Sequence, residues 1–280
     1  MRRLAPLLLL FSCAPERLAY VRVDSPAMGK KMEYGVYTPP GFTADEKLPL
    51  ILFLHGGGDT AHCLDKEGVS TWLDAEISAG RVPRVVVAVP QGDTGFWENW
   101  ADGTARYADW ALQEVLPAVA RERHTQPCPE GCHLLGISMG GAGALRIALD
   151  DPGRFASVAI ISAPTFDAEQ MQAMAEDWRW KTFARIDRVF GKADDKERQR
   201  RADPFQRWLA PEDLKGLNLY LAHGDDDRKG IAGTNLALHG HLESRGIAHR
   251  YRVFQGGHRW QDWLPVFGEA LRDAAMPPGG

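Results

Sequence analysis

One serine lies in a sequence context that is typical of nucleophilic catalysis. The stretch GISMG at residues 136–140 places Ser138 between two glycines, after the apolar segment at 133–135 and before the small residues that begin a predicted helix at 141–149. A strand, a sharp turn and a helix in this order hold a G-x-S-x-G serine exposed at the carboxyl edge of a sheet. The glycines leave room for the turn, because a side chain two places from the serine would collide with a neighbouring element. We therefore expect Ser138 to act as a nucleophile.

A serine hydroxyl needs a base and an orienting carboxylate, because alone it is a poor nucleophile near neutral pH. In this arrangement the partners follow in the order serine, acid, histidine. Of the nine histidines, we expect His258 to be the base, since glycines precede it in the loop after the last predicted strand. The aspartates at 225–227 follow the strand before it. Asp227, at the third place after the strand-end glycine, is favoured as the acid, and Asp226 and Asp225 are the alternatives.

The oxyanion that forms during attack on a carbonyl needs backbone N–H donors aimed at it. The sequence HGGG at residues 55–58 matches a loop that supplies one such donor, which we expect to be Gly57, and Met139 after the nucleophile would supply the other. A glycine loop at a strand end is also compatible with a simple turn. Phosphate binding is not favoured, because neither G-x-G-x-x-G nor a following Gly-Lys-Ser/Thr is present.

These residues require an alternation of strands and helices to bring them together. Apolar runs predict strands, and longer segments with helical periodicity separate them. Strands are predicted at 18–23, 32–38, 48–54, 84–90, 132–136, 157–162, 217–222 and 250–254, and helices at 69–78, 107–123, 141–149, 231–244 and 260–273. The order indicates an α/β fold, a doubly wound, mostly parallel sheet with helices on both faces and a ligand site at the carboxyl edge.

Residues 165–211, here called the insertion, interrupt that alternation. They are rich in charge and carry Trp178, Trp180, Phe183 and Trp208. We interpret them as a small helical lid, and a surface insertion whose aromatic side chains turn into the core is an equal alternative. The charged run at 192–201 is interpreted as a solvated helix face.

Composition favours one large domain, at 18–280, that acts on a small molecule. The chain has 280 residues, of which 44% are hydrophobic and 25% charged. Its net charge of -4 and pI near 6.1 argue against a nucleic-acid surface, which needs a basic excess. Oligomeric state is left open.

The first 17 residues predict export. A basic start, a short apolar run and a small residue before Cys13 are typical of a signal segment and too short for a transmembrane helix. Residues 10–13 resemble a bacterial lipobox, in which Cys13 would carry a lipid anchor to the membrane. An ordinary cleaved signal and a cytoplasmic chain with an unusual start are the alternatives.

The other cysteines are interpreted in the light of that export. Cys128 and Cys132 close a short loop, where a disulfide would pin the entry to the nucleophile strand; two free thiols are the alternative. Cys63 is left over as a thiol. No metal site is expected, because the cysteine pair lacks further ligands at suitable spacing.

The sequence resembles the esterase D and antigen 85 group of α/β-hydrolases from about residue 33 to residue 273. The resemblance is specific at the catalytic motifs and at the carboxyl end, where GGHRWQDW is close to the G-G-H-x-W-x-x-W ending of many of these esterases. The stretches that carry it are YTPPG at 37–41, LHGGG at 54–58, WENW at 97–100, GISMGGAGA at 136–144, DPGRF at 151–155 and GGHRWQDW at 256–263.

The resemblance implies a serine carboxylesterase that needs no cofactor. Ser138 would attack, His258 would carry the proton, an aspartate would orient it, and water would resolve the acyl-enzyme. Trp97 and Trp100 would flank the site and favour a sugar or an aromatic alcohol, with core packing as the alternative. The glutamate that mycolyltransferases of this group use as acid is replaced by aspartates here, which favours hydrolysis over acyl transfer.

The leading hypothesis is an exported esterase for a small acyl or aromatic acid, possible carriers being a carbohydrate or a siderophore. An acyltransferase of the same fold is the alternative within the enzymes. From another class, the alternative is a cell-surface binding module without catalysis.

Overall fold

An eight-stranded sheet forms the centre of the computed structural model, which describes residues 17–192, 194–198, 203–207, 214 and 216–274. Its strand order is β1-β2-β4-β3-β5-β6-β7-β8. The strands are β1 (Leu18–Ser25), β2 (Lys30–Tyr37), β3 (Leu50–Leu54), β4 (Val86–Pro90), β5 (Cys132–Ile137), β6 (Ser157–Ile161), β7 (Asn218–Gly224) and β8 (Arg250–Phe254). Each predicted strand is therefore present, with ends that differ by up to two residues.

The sheet is parallel except at one edge. β1 pairs antiparallel with β2, and β2 pairs antiparallel with β4, whereas every other neighbouring pair is parallel. In β3, Leu52 belongs to one apolar cluster, and Ile51 and Phe53 belong to a second one. Since successive side chains of a strand point to opposite faces, the two clusters are the cores on the two sides of the sheet. This confirms the predicted fold class.

Helices cover both faces. They are α1 (Cys63–Lys66), α2 (Val69–Ser78), α3 (Tyr107–Asp109), a π-helical segment (Trp110–Val115), α4 (Leu116–Glu122), α5 (Met139–Asp150), α6 (Ala168–Glu176), α7 (Trp178–Phe183), α8 (Ile186–Phe190), α9 (Pro204–Arg207), α10 (Lys229–Ser244) and α11 (Trp260–Ala274). The π-helical segment runs directly into Pro117, which has no N–H to donate to the preceding turn. Helix α5 starts two residues earlier than predicted, because the chain turns into it at Ser138 itself.

The insertion consists of short helices in its described part. α6 begins with a capping box, in which the Asp167 side chain accepts a hydrogen bond from the Gln170 backbone and the Gln170 side chain accepts one from the Asp167 backbone. Trp178 is 67% exposed, so its side chain is not turned into the core. Trp208 lies outside the described residues.

Cys13 and nearly all of the segment 1–17, for which export is predicted, lie outside the described residues. Export and the lipid anchor stay predictions. Between residues 17 and 274, wherever the structure describes the chain, none of the helices combines the length and apolar character that crossing a membrane requires. Cys128 and Cys132 are joined as a disulfide, and Cys63 is a buried free thiol.

Candidate active site

Ser138 occupies a strained turn between β5 and α5. Its backbone has φ 55° and ψ −121°, a conformation that residues other than glycine rarely adopt. The turn is secured on the sheet side, because the Ser138 N–H donates to the Ile161 carbonyl at 2.8 Å, and on the helix side, because its carbonyl accepts from Ala142. Such strain persists only where the surroundings enforce it, and it is concentrated at functional sites.

Two glycines make this turn possible. A Cβ at Gly136 would overlap the carbonyl of Gly140, and a Cβ at Gly140 would overlap the carbonyl of Leu54. The neighbouring atoms belong to the backbone and cannot rotate away. The packing thus requires glycine at both positions, for the steric reason predicted from the sequence.

His258 lies between Ser138 and Asp227. Its Nδ1 is 2.8 Å from Asp227 Oδ1, and its Nε2 is 2.9 Å from Ser138 Oγ. A carboxylate can only accept, so the Nδ1–H donates to Asp227, and Nε2 is left as the acceptor for the serine proton. The His258 side chain is 9% exposed and that of Asp227 is fully buried.

The other two aspartates are placed differently. Asp225 and Asp226 are both exposed, whereas Asp227 is 7% exposed. Asp225 accepts a hydrogen bond from the Gly256 backbone N–H at 2.9 Å through Oδ1. Of the three alternatives, Asp227 is therefore the one that the structure brings to His258.

The carboxylate of Asp227 is held in its ionised form. Burial raises its pKa, but hydrogen bonds from His258 and Ser162, the charge of His258 and the Arg228 backbone N–H together lower the pKa below the ordinary value. The Arg228 N–H donates to Oδ1 at 2.7 Å. Oδ2 is buried and accepts no well-aligned hydrogen bond from a described residue. The nearby Ser162 hydroxyl lowers the pKa of this carboxylate.

Ser162 and Trp263 interact with Asp227 and His258. Ser162 is fully buried just after β6 and has a φ of 51°. Its Oγ accepts a hydrogen bond from Trp263 Nε1 at 3.0 Å, so the hydroxyl proton is free to turn toward Asp227. The Trp263 ring also meets His258 edge to face, with ring centroids 4.8 Å apart. Sequence analysis did not single out either residue, although Trp263 is part of the motif at the carboxyl end.

The HGGG loop is held by the imidazole of His55. His55 is fully buried, its Nδ1–H donates to the Gly56 carbonyl at 2.8 Å, and its Nε2 accepts from the Gly92 N–H at 2.9 Å. Burial lowers the pKa of His55, so the ring is neutral, as the accepting Nε2 requires. His55 thereby ties its own loop to the loop after β4.

The predicted oxyanion donors lie at the same cavity as the serine. Gly57 and Met139 both line it together with Ser138. A Cβ at Gly57 would stand 3.9 Å from the Met139 side chain, which places the two residues side by side. Their role as donors stays a prediction.

Trp97 and Trp100 do not line the cavity, and their predicted place beside a substrate is corrected. Trp97 is 1% exposed; its indole N–H donates to the His55 carbonyl at 3.2 Å, and its ring packs against Gly143. Trp100 is 8% exposed and donates to the Gly95 carbonyl at 3.2 Å. Trp97 is buried because its loop packs on α5 at Gly143, and Trp100 is buried beside Tyr107 and under the guanidinium of Arg188. Core packing, the alternative given to them, therefore describes both positions.

A cavity of about 700 Å³ opens beside Ser138. Apolar side chains from several parts of the chain contribute to its walls. They are Phe96 and Met139 from the loop after β4 and from α5, Pro164, Phe166 and Ala184 from the segment after β6 and the insertion, Ile231 from α10, and Trp260 and Trp263 from α11. Three charged residues, Asp59, Arg228 and Arg259, also line it. Such a space suits a small ligand with an apolar part.

Three other histidines make contacts away from the triad. His223 contacts the Tyr251 hydroxyl at 2.7 Å, and His239 contacts His249 at 2.8 Å. Within the described parts of the chain, no three His, Cys, Asp or Glu side chains are grouped so that they could hold a metal ion.

Curated relatives of the chain include peptidases and esterases. The chain is 26% identical over 245 residues to a probable dipeptidyl-peptidase 5 of Aspergillus terreus, covering 82% of this chain and 31% of that protein. It is 28% identical over 154 residues to an esterase of Mycobacterium tuberculosis, covering 53% of this chain and 32% of that protein. The chain thus spans about a third of the length of these relatives.

Solved structures share the fold. A ferulic acid esterase superposes with a TM-score of 0.76 at 18% identity, covering 92% of this chain and 97% of that one. Residues 25–274 match the family described as "Putative esterase", which agrees with the resemblance read from the motifs. Since the match covers most of the sequence, including Ser138, Asp227 and His258, the chain belongs to this esterase family.

Proposed function

We propose that the protein is a serine carboxylesterase that works through an acyl-enzyme on Ser138. The observation that carries this proposal is the position of His258, whose two ring nitrogens lie 2.8 Å from Asp227 Oδ1 and 2.9 Å from Ser138 Oγ. A buried carboxylate that accepts from one ring nitrogen fixes the tautomer in which the other nitrogen accepts the serine proton.

In the first half of the reaction, Ser138 Oγ attacks the ester carbonyl while His258 Nε2 takes the hydroxyl proton. The carbonyl oxygen becomes an oxyanion, for which the Gly57 and Met139 N–H groups are the proposed donors. When the tetrahedral intermediate collapses, the ester C–O bond breaks and His258 returns the proton to the departing alcohol. The ionised Asp227 stabilises the imidazolium between these two transfers.

In the second half, water replaces the alcohol. His258 Nε2 takes a proton from water as its oxygen attacks the acyl carbonyl, and a second tetrahedral intermediate collapses. The bond from the acyl carbon to Ser138 Oγ breaks and His258 gives the proton back to the serine, which releases the carboxylic acid. No external cofactor enters either half.

The cavity supports a small acyl or aromatic acid as the substrate part. Its volume of about 700 Å³ suits a compact group, and the apolar side chains of Phe96, Phe166 and Ile231 suit an aliphatic or aromatic one. The similar solved structure that is titled a ferulic acid esterase has an aromatic acid in its name.

The test is turnover of phenyl acetate, methyl ferulate and an acetylated sugar by the wild type and by His258→Gln. We expect one or more of these esters to be hydrolysed, with a loss of at least 1,000-fold in kcat for the variant, because the base is removed while a residue of similar size is kept. Added alcohol would capture the acyl group faster than water if the protein were an acyltransferase. Inertness of the folded wild type toward all three esters would favour a binding module without catalysis.

A further inference from the structure

We infer that Arg228 selects esters that carry an anionic group, such as a carboxylate or a phosphate, away from the scissile bond. This inference rests on the proposed esterase function and specifies its substrate class. Arg228 directly follows the triad acid, lines the cavity and is exposed. Nothing in the proposed hydrolysis itself requires a cation there.

The charge of Arg228 has no partner among the described residues. No carboxylate of the described chain lies within ion-pair distance of its guanidinium, and the first turn of α10, which begins just after it, contains no acidic residue. Asp226, two residues earlier, is exposed. The hydrogen bond from Arg259 to Asp262, together with the charge of Asp226, raises the pKa of Arg259. An unpaired guanidinium beside a reaction site presents several N–H donors in one plane, which suit a carboxylate or a phosphate group of a substrate.

The other charges at the cavity are already paired. Arg259 Nε lies 2.7 Å from Asp262 Oδ2. The Asp59 carboxylate accepts from Trp260 Nε1 at 3.0 Å and lies 3.8 Å from the Lys66 ammonium. The wall of the cavity therefore carries one positive charge that is not balanced by a described neighbour, so an anionic substrate gains an interaction that a neutral one lacks.

The backbone places Arg228 firmly relative to the triad. Its N–H donates to Asp227 Oδ1 at 2.7 Å, and its carbonyl accepts from the Ile231 N–H at 2.7 Å. Ile231 lines the same wall of the cavity. An ester whose apolar part contacts Ile231 and Phe166 can thus direct an anionic group outward to Arg228.

Two pairs of esters test this inference and show which side of the ester carries the anion. Phenyl hydrogen adipate and phenyl methyl adipate differ by a charge on the acyl side, and 4-acetoxybenzoate and its methyl ester differ by a charge on the alcohol side. For each pair, the ratio of kcat/KM for the charged ester to kcat/KM for the neutral one is measured for the wild type, Arg228→Gln and Arg228→Lys. Dividing the wild-type ratio by that of the variant removes the intrinsic reactivity of the esters.

We expect Arg228→Gln to lower the ratio of kcat/KM for the charged ester to kcat/KM for the neutral one about three- to tenfold in at least one pair. This is the size expected for an exposed cation that is partly desolvated by its ligand. Arg228→Lys should retain part of the preference, and added salt should weaken the preference of the wild type. The matched control is Arg259→Gln, which removes a cavity charge already held by Asp262, and it should leave the ratio within about twofold.

An unchanged ratio in both pairs for Arg228→Gln, or the same loss in Arg259→Gln, would overturn the inference. Labelling of each protein by a neutral fluorophosphonate shows whether its reactive serine is assembled. A wild type that is labelled and hydrolyses the neutral esters but shows no such dependence on Arg228 refutes the inference alone. A folded wild type that is neither labelled nor active refutes the esterase proposal and this inference together.

Discussion

Asp227 is the only one of three consecutive aspartates whose carboxylate is buried against His258. Oδ1 receives the imidazole N–H and the Arg228 backbone N–H, which leaves Oδ2 beside the hydroxyl of Ser162. The lowered pKa of Asp227 favours the ionised form of this carboxylate. The residue is thus prepared to orient the imidazole and to stabilise its charged form.

Asp227→Asn should lower kcat about 10,000-fold while the protein remains folded, because an amide that donates to His258 favours the wrong tautomer. The measurement is steady-state turnover of phenyl acetate, with circular dichroism as the check on folding. Asp226→Asn and Asp225→Asn are the matched controls and should stay within about threefold, since neither side chain contacts the base. A severe loss in either control with a mild one in Asp227→Asn would show that the acid has been misassigned.

Ser162→Ala should lower kcat/KM about tenfold, because the variant removes a hydroxyl that acts on a buried charge. It should also raise the pKa of Asp227, because the hydroxyl favours the ionised carboxylate. Steady-state turnover of phenyl acetate at neutral pH measures the loss of activity, and NMR titration of the Asp227 carboxyl measures the change in its pKa. Ser70→Ala is the control, since Ser70 is a serine of similar burial in α2, away from the cavity. Equal kcat/KM for Ser162→Ala and wild type would contradict a positioning role.

At the scale of elements, one contact region fastens the insertion to the body of the domain. Arg188 of α8 reaches Asp102 through Nε at 2.6 Å and Thr104 Oγ1 through its Nη2 at 2.7 Å, and its guanidinium lies over the Trp100 ring. Phe190 of the same helix meets Phe96, which lines the cavity. Trp100 thus contacts the insertion, and this contact is the role that the structure gives it.

A double-mutant cycle of Asp102→Asn and Arg188→Gln should give a coupling energy of about 0.5–1 kcal/mol in the free energy of unfolding, because both side chains are partly exposed. Burial raises the pKa of Asp102, but hydrogen bonds from Thr104 and Arg188 outweigh it and lower the pKa to about 2. A carboxylate with a depressed pKa stabilises the fold above its unfolded value, and the effect is lost only as the pH falls toward 2. The coupling should therefore be equal at pH 7 and pH 5, and its absence at both would contradict this contact.

The elements also show why part of the site could be predicted and part could not. Strand-end positions follow from apolar runs, so the sequence predicts that Ser138, His258 and the aspartates lie at one edge of the sheet, and in the structure they follow β5, β8 and β7. The direction of an indole does not follow from such a pattern: Trp97 and Trp100 belong to an irregular loop whose path depends on packing against Gly143 and Arg188. Ser162 gives no sequence signal, because its role arises only when β6 and α11 meet.

At the scale of the whole molecule, two apolar cores on the faces of one sheet fix the positions of the strand ends. The central strands β3, β4, β5 and β6 are buried along their full length. Any polar group within them must therefore be satisfied inside the protein. His133 of β5 is such a group: it is 4% exposed, and its Nδ1 lies 2.9 Å from Ser157 Oγ on β6.

His133 should make the stability of the fold dependent on pH. Burial lowers its pKa from 6.5 to about 4, so the folded state binds fewer protons than the unfolded one between these values. The free energy of unfolding should then fall as the pH is lowered from about 6.5 to about 4, by about 3 kcal/mol at most from this residue. Denaturant unfolding of wild type and His133→Gln at several pH values measures the difference, and His124→Gln at an exposed histidine is the control. Parallel curves for wild type and His133→Gln would contradict it.

The intact mass of the purified protein after reaction with a fluorophosphonate tests the claim that Ser138 is a nucleophile activated by His258 and Asp227. We expect one adduct on the wild type and none on Ser138→Ala, with much slower labelling of His258→Gln, because an amide cannot act as the base that removes the hydroxyl proton. A folded wild type that takes up no adduct, or an adduct that persists in Ser138→Ala, would contradict the claim.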